Sequence, residues 1–104
     1  MRYLLVCAVL AACNPAESTG IQTVTCPTDS TLTYESFGAS FLSDNCLECH
    51  SGKESPSLTT RSAVLANANH ILQEAVYTTA MPEDADISLD ERELLGEWIA
   101  CGAP

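Results

Sequence analysis

Apolar residues recur every three or four positions in the first predicted helix of this chain. Five of them fall at i, i+3, i+4, i+7 and i+8 of a single helix face: Tyr34, Phe37, Gly38, Phe41 and Leu42. This spacing predicts a helix from about residue 34 to residue 45. Thr31 or Thr33 stands where the N-cap of such a helix belongs, since a threonine hydroxyl accepts a hydrogen bond from the first turn.

The C-terminal stretch "ISLDERELLGEWIACG" predicts a second amphipathic helix. Ser88 precedes Glu91 by three positions, which is the spacing of a capping box, and Gly102 stands where a helix C-cap belongs. The predicted buried stripe consists of Leu94, Leu95, Trp98 and Ile99. Glycine inside the first helix lowers helix propensity, and close approach of another helix is a reason to keep it. We therefore expect Gly38, with Phe41 or Leu42, to pack against this stripe.

Between these two helices, apolar residues keep helical spacing from residue 64 to residue 76, with a predicted break at Asn67 to Asn69. No stretch alternates between apolar and polar residues for more than a few positions. The pattern therefore predicts one all-α domain with three to five short helices. A domain of this size buries a small core, so a covalent or cofactor staple is expected.

Acidic residues outnumber lysine and arginine 14 to 4 in the 104-residue chain, which gives a net charge of −10. Nucleic-acid binding requires a basic surface, so this charge argues against it. An acidic protein instead suits partner proteins with basic docking surfaces.

The N-terminus has the pattern of an export signal, with Arg2 followed by a short apolar run and small residues. We predict a signal peptide over residues 1–12. The "LAAC" sequence ending at Cys13 resembles a bacterial lipobox, which implies acylation of Cys13; an ordinary signal cleaved elsewhere is the alternative. Residues 13–25 are rich in Pro, Ser, Thr and Gly and predict a flexible tether, followed by the domain at 26–104. The expected location is the periplasmic side of a bacterial membrane, attached by lipid. Asn14 weakly favours the outer membrane.

The sequence "CLECH" brings Cys46, Cys49 and His50 within five positions. A thioredoxin-like redox pair requires strands that this chain does not predict, and structural zinc requires two more clustered ligands. A simple disulfide between the two cysteines leaves His50 without a role. Cys-x-x-Cys-His is the attachment sequence of c-type haem, in which two thioethers hold the porphyrin and the histidine binds iron.

With this motif the chain resembles small monohaem c-type cytochromes whose iron has histidine and methionine ligands. The resemblance runs from about residue 34 to residue 104, and its parts are the Gly38 and Phe41 helix, "CLECH", "PSL" from Pro56, "AMPED" around Met81 and the terminal helix with Trp98. The chain differs from the family pattern at two places: the segment after His50 is short, and the stretch before Met81 has a helical pattern where the family has a long loop. The implied fold is cytochrome c-like, with short helices around one covalently attached haem.

The resemblance also implies roles for individual residues. Haem c would be attached through Cys46 and Cys49, with His50 and Met81 as the axial ligands. In the family, a proline carbonyl accepts a hydrogen bond from the ligating histidine, and Pro56 is in the matching position. Other residues expected around the haem are Leu58, Leu72 and Val76 as slot lining and Arg61 as a propionate partner. His70 is the alternative to Met81, and a solvated surface role is the alternative for Arg61.

Two cysteines remain within the domain after the motif and Cys13 are assigned. Cys26 precedes the first helix and Cys101 follows the last one. We predict a disulfide between them, because exported proteins retain such bridges; two free thiols are the alternative. A bridge that closes so long a loop stabilises a domain by about 4 kcal/mol in the chain-entropy model.

The resulting hypothesis is a monomeric electron carrier and not an enzyme, because two axial ligands leave no open position on the iron. The alternatives are a haem-based gas or redox sensor, in which Met81 dissociates, and a peroxidase-type enzyme with an open distal site. The expected partners are redox proteins with basic surfaces, together with the membrane that receives the N-terminal lipid.

Overall fold

The computed structural model describes residues 16–83 and 86–104. The predicted signal peptide and the lipid site Cys13 lie outside the described residues. Within these described residues, seven helical elements follow one another: a π-helical turn Tyr34–Gly38, α1 Ala39–Asn45, α2 Leu47–His50, α3 Arg61–Ala66, α4 Ala68–Ile71, a second π-helical turn Leu72–Val76 and α5 Leu89–Ala100. Residues 16–83 and 86–104 form no β-strand, and Ser18 and Thr78 make one isolated bridge. The domain is all-α, as predicted.

The first predicted helix is present with its predicted bounds, but its first turn is π-helical. The Thr33 carbonyl accepts from the N–H groups of both Phe37 and Gly38, at 2.9 and 3.0 Å. The Thr33 hydroxyl also accepts from the Ser36 N–H at 3.0 Å, so Thr33 is the N-cap. The π-helical turn continues directly into α1, and α1 ends at the cysteine motif.

The middle of the chain breaks where the sequence predicted, at Asn67 between α3 and α4. The Asn67 side chain donates to the Ala63 carbonyl at 2.8 Å and so satisfies part of the C-terminus of α3. After α4, the Tyr77 N–H donates to the Leu72 carbonyl at 2.8 Å, an i to i−5 bond that forms the second π-helical turn.

The last helix begins and ends at the predicted residues. The Ser88 hydroxyl accepts from the Glu91 N–H at 3.1 Å, and Gly102 adopts φ +88° just after the helix, where residues with a Cβ are strained. The predicted stripe is wrong at one position, because Leu94 is 41% exposed while Leu95 and Trp98 are at most 1% exposed. The buried face is rotated away from Leu94 and contains Arg92 instead.

A disulfide joins Cys26 to Cys101, the pair that flanks the helical part of the chain. Their Cα atoms are 4.8 Å apart, within the range that a bridge requires. The bridge does not involve the motif cysteines Cys46 and Cys49.

Part of the segment predicted as a tether makes hydrogen bonds to the domain. The Thr19 N–H donates to the Tyr77 carbonyl at 3.0 Å, and the Thr79 N–H donates to the Glu17 carbonyl at 2.9 Å. Val24 packs beside Gly96, where a Cβ would approach the Val24 Cγ1 atom to 2.6 Å. Residues 17–24 therefore pack on the domain, since backbone hydrogen bonds and an apolar side chain hold them there. None of the described helices is long and apolar enough to cross a membrane.

Candidate functional site

A single cavity brings the cysteine motif together with Met81. Cys46, Cys49, His50 and Met81 all line it. Buried apolar residues complete its walls: Phe41, Leu42, Leu58, Val64, Ile71, Ala75, Leu95 and Trp98. The space within and in front of the cavity, open solvent included, is about 1190 Å³. Most of the residues expected around the haem lie on this cavity, including Pro56 and Leu58, and three do not: Arg61, Leu72 and Val76.

The motif is a single helical turn that continues from α1. The N–H groups of Cys49 and His50 both donate to the Cys46 carbonyl, at 3.3 and 2.9 Å. The segment after the turn closes back on it, because the Leu58 N–H donates to the His50 carbonyl at 2.8 Å. Burial raises the pKa of the Cys46 thiol from 9.0 to about 11, so this group is a neutral thiol at physiological pH.

The His50 ring is oriented by a backbone carbonyl. Its Nδ1 lies 2.8 Å from the Pro56 oxygen. A carbonyl oxygen only accepts hydrogen bonds, so Nδ1 carries the proton and the lone pair of the neutral ring is on Nε2. This is the arrangement of a ligating histidine, in which a second group fixes the tautomer and ring orientation. The position predicted for Pro56 from the resemblance agrees with this contact.

Met81 is half-buried, and its backbone is bonded on both sides. The Met81 N–H donates to the Glu74 carbonyl at 2.7 Å, and its own carbonyl accepts from Arg92 at 2.8 Å. His70, the alternative ligand, lines the same cavity but is exposed at the end of α4. The cavity therefore contains both candidates for the position opposite His50, and burial favours Met81.

Arg92 is the important residue that the sequence analysis missed. It is 3% exposed, and its Nη1 donates to the carbonyls of Ala75 and Met81 at 2.8 Å each. Burial lowers the pKa of Arg92, while the charges of Asp86 and Glu91 act in the opposite direction. Arg92 precedes Leu95 by three positions, so the helical period of the buried stripe could have identified it.

Two other sequence predictions are corrected by the packing. Arg61 does not line the cavity: its guanidinium donates to the carbonyls of Ala103 and Gly102, the latter at 3.1 Å, and so joins α3 to the C-terminus. Leu72 and Val76 do not line the cavity either, and Ile71 and Ala75 take that place. Val76 instead packs toward α5, since a Cβ at Gly96 would lie 3.1 Å from its Cγ1 atom.

The cavity mouth is acidic. Five carboxylate residues line the cavity: Asp44, Glu48, Glu54, Glu74 and Glu83. All except the half-buried Glu74 are exposed. Within residues 16–83 and 86–104, the cavity lining contains no lysine or arginine. The entrance therefore has an excess of negative charge, which attracts cationic partners.

The donors fit a haem better than a bare metal ion. In the described part of the chain, no three His, Cys, Asp or Glu side chains converge as ligands of one ion, which disfavours zinc. A porphyrin supplies four nitrogen ligands itself, so the protein needs to add only an imidazole and one further axial group. Oriented His50, half-buried Met81, two cysteines on one turn and apolar walls match that requirement.

Comparison with known proteins gives no match: no family model, curated protein or solved structure was found to be similar to this chain. The assignment of a function therefore depends on the residues of this cavity.

Proposed function

We propose that this protein is a one-electron carrier with a single c-type haem attached through Cys46 and Cys49 and bound axially by His50 and Met81. The observation that carries the proposal is the His50 contact. Its Nδ1 is bonded to the Pro56 carbonyl at 2.8 Å, which leaves Nε2 as the ligating atom on the wall of the cavity that Met81 also lines. If the Cys-x-x-Cys-His sequence had occurred by chance, nothing would require the histidine ring to be held in the orientation of a metal ligand.

Each residue has a defined task in this proposal. The thiols of Cys46 and Cys49 form the thioether bonds, and their spacing places both on one helical turn. His50 binds iron through Nε2, with the Pro56 bond limiting rotation of the ring. Met81 provides a neutral thioether, which favours the reduced state and raises the reduction potential.

When bound, the haem supplies a centre that gains and loses one electron. The protein's contribution is to fill both axial positions and to exclude water with apolar walls such as Leu58 and Trp98, which are at most 5% exposed. With His50 and Met81 both serving as ligands, no substrate is expected to bind at the iron, and a bound haem would exchange electrons with partners at the cavity mouth. The carboxylates of the mouth favour redox partners with basic surfaces.

The site of action follows from the N-terminal sequence. Residues 1–12 and Cys13 support export and lipid attachment at the periplasmic side of a bacterial membrane, more readily the outer one. The protein is expected to act as a monomer.

Covalent attachment is the first test of the proposal. The chain is produced in a bacterial host that matures c-type cytochromes and is separated on a denaturing gel stained for haem. The wild-type chain should retain haem, and the Cys46→Ser/Cys49→Ser variant should lose it. The matched control is Cys26→Ser/Cys101→Ser, which removes the other cysteine pair and should keep the haem. A wild-type chain without covalent haem would refute the proposal.

Axial ligation is the second test, and carbon monoxide is the probe. The reduced wild-type protein should show no spectral change with carbon monoxide, because both axial positions are filled. Met81→Ala should bind it and should have a lower reduction potential, whereas His70→Ala should behave as wild type. Binding by the wild-type protein would favour the sensor or peroxidase alternatives. If His70→Ala opens the iron instead, the ligation is bis-histidine.

A further inference from the structure

One arginine of α5 is bonded to the backbone that leads into Met81. The Arg92 Nη1 donates to the carbonyls of Ala75 and Met81 at 2.8 Å and lies 3.3 Å from the carbonyl of Thr78. All three acceptors belong to residues 75–81, which connect the second π-helical turn to Met81. One side chain therefore fixes this segment at its start, its middle and its end.

Burial of Arg92 costs free energy, because the guanidinium loses its hydration, and the hydrogen bonds must offset that loss. Arg92 stands on the buried face of α5, where an apolar residue would pack without loss of hydration. A buried guanidinium is tolerated when backbone oxygens replace its water, and here the oxygens gather around one nitrogen, Nη1. The carbonyls of residues 75–81 supply those oxygens, so the arginine and the segment satisfy each other.

We propose that Arg92 is a positioning residue that keeps Met81 on the wall of the cavity, where it can bind the iron. The inference rests on the proposed function, since it assigns Arg92 to the axial ligand of that site. The hydrogen bond from Arg92 to the Met81 carbonyl holds the backbone of Met81 in place, so that its side chain can move only by rotation about its own bonds. Without Arg92, the segment loses these hydrogen bonds to α5, and of the backbone bonds of Met81 only the one from its N–H to the Glu74 carbonyl remains, so Met81 is held less firmly on the cavity wall.

The test compares two arginines that both donate to backbone carbonyls. Arg92→Met removes the charge and the donors, and Arg92→Lys keeps the charge but not the guanidinium with its Nη1 donor. The matched control is Arg61→Met, because Arg61 bonds the carbonyls of Gly102 and Ala103 and does not line the cavity. Folding of every variant is checked by circular dichroism, and Arg92→Lys decides the matter if Arg92→Met does not fold.

Carbon monoxide binding to the reduced protein is the first readout. We expect none for wild type and Arg61→Met, partial binding for Arg92→Lys and more complete binding for Arg92→Met, with a fall in reduction potential in the same order. A folded Arg92 variant that binds no carbon monoxide and keeps the wild-type spectrum and potential would overturn the inference, because Arg92 would then be structural only.

Oxidation of Met81 by hydrogen peroxide is a readout that needs no haem. The fraction of methionine sulfoxide at Met81 is followed by peptide mass spectrometry in the full exported chain. Arg92→Lys should oxidise several-fold faster than wild type, and Arg61→Met should not. An unchanged rate in a folded Arg92→Lys protein that carries haem refutes the inference but leaves the proposed function in place. A wild-type chain without haem refutes the proposed function, and with it the ligand role assigned to Met81.

Discussion

Gly38 lies directly against the indole of Trp98. A Cβ built on Gly38 would come within 3.0 Å of three atoms of that ring. Gly38 has an ordinary helical backbone with φ −60°, so the glycine is required for space and not for conformation. Trp98 is fully buried, and the Phe37 ring packs edge-on to it with centroids 5.9 Å apart. The first and last helices thus meet at a glycine–tryptophan contact.

The first prediction concerns this contact. Gly38→Ala should destabilise the domain by about 1–3 kcal/mol, the usual cost of overpacking, even though alanine favours helices. The free energy of unfolding is measured with urea. Ser40→Ala, an exposed change two positions later, should stay within about 0.5 kcal/mol of wild type. A Gly38→Ala protein as stable as that control would contradict the close packing.

The disulfide gives a second prediction. Cys26 and Cys101 are separated by 75 positions, so the bridge restricts a long loop of the unfolded chain. The Cys26→Ser/Cys101→Ser variant should lose about 4 kcal/mol of stability in the chain-entropy model. A reducing agent should lower the stability of wild type toward that of the variant and leave the variant unchanged. Two thiols that titrate in the oxidised wild-type protein would show that no bridge forms.

The buried Cys46 thiol predicts that the unfolding free energy of the chain without attached haem depends on pH. Its pKa is raised from 9.0 to about 11 by burial, so the folded state keeps the proton at pH values where the unfolded state loses it. This stabilisation is complete below about pH 9 and should disappear as the pH rises to about 11. Cys46→Ser cannot titrate there and should show a smaller loss of unfolding free energy over that interval.

The comparison with Cys46→Ser cancels every contribution to the pH dependence that the two proteins share. Protein with haem attached should resemble the serine variant in this interval, because a thioether has no proton to lose. Equal slopes for wild type and Cys46→Ser in haem-free chain would mean that the thiol is not buried.

The acidic mouth predicts the sign of a salt effect. The reduced protein should transfer electrons to a cationic cobalt(III) complex more slowly as salt is added, and to an anionic iron(III) complex more rapidly. Screening is weak at about 0.01 M salt and strong at about 0.15 M, so stopped-flow rates are compared at these concentrations. Glu48→Gln/Glu54→Gln, which neutralises two exposed carboxylates, should reduce the cationic effect. A control with Glu35→Gln, exposed and outside the cavity lining, should not.

The sequence by itself determined those features that depend on neighbours within a turn or two. The caps at Thr33, Ser88 and Gly102 are local hydrogen bonds or local backbone conformations, and each is present. The motif turn at residues 46–50 is local in the same sense. The Cys26–Cys101 pair could be predicted because the chain offered few other partners for an exported cysteine.

Tertiary packing decided the features that local patterns leave open. Leu94 and Leu95 are both compatible with the helical period of the buried stripe. Only the packing of α5 on the rest of the domain decides that Leu95 is buried and Leu94 is exposed. Helical spacing likewise allows either of two neighbouring pairs to face the core, and packing places Ile71 and Ala75 on the cavity in place of Leu72 and Val76.

Long-range hydrogen bonds decided the rest. Residues 17–19 look like a linker by composition, yet the backbone groups of Glu17 and Thr19 bond to those of Thr79 and Tyr77, about 60 positions away. A charged residue such as Arg92 is expected at the surface, but three carbonyls from another part of the chain accept its hydrogen bonds and allow its burial. A side chain's polarity is set by the sequence, but its burial depends on whether distant groups satisfy its hydrogen bonds, and only the folded chain brings those groups together.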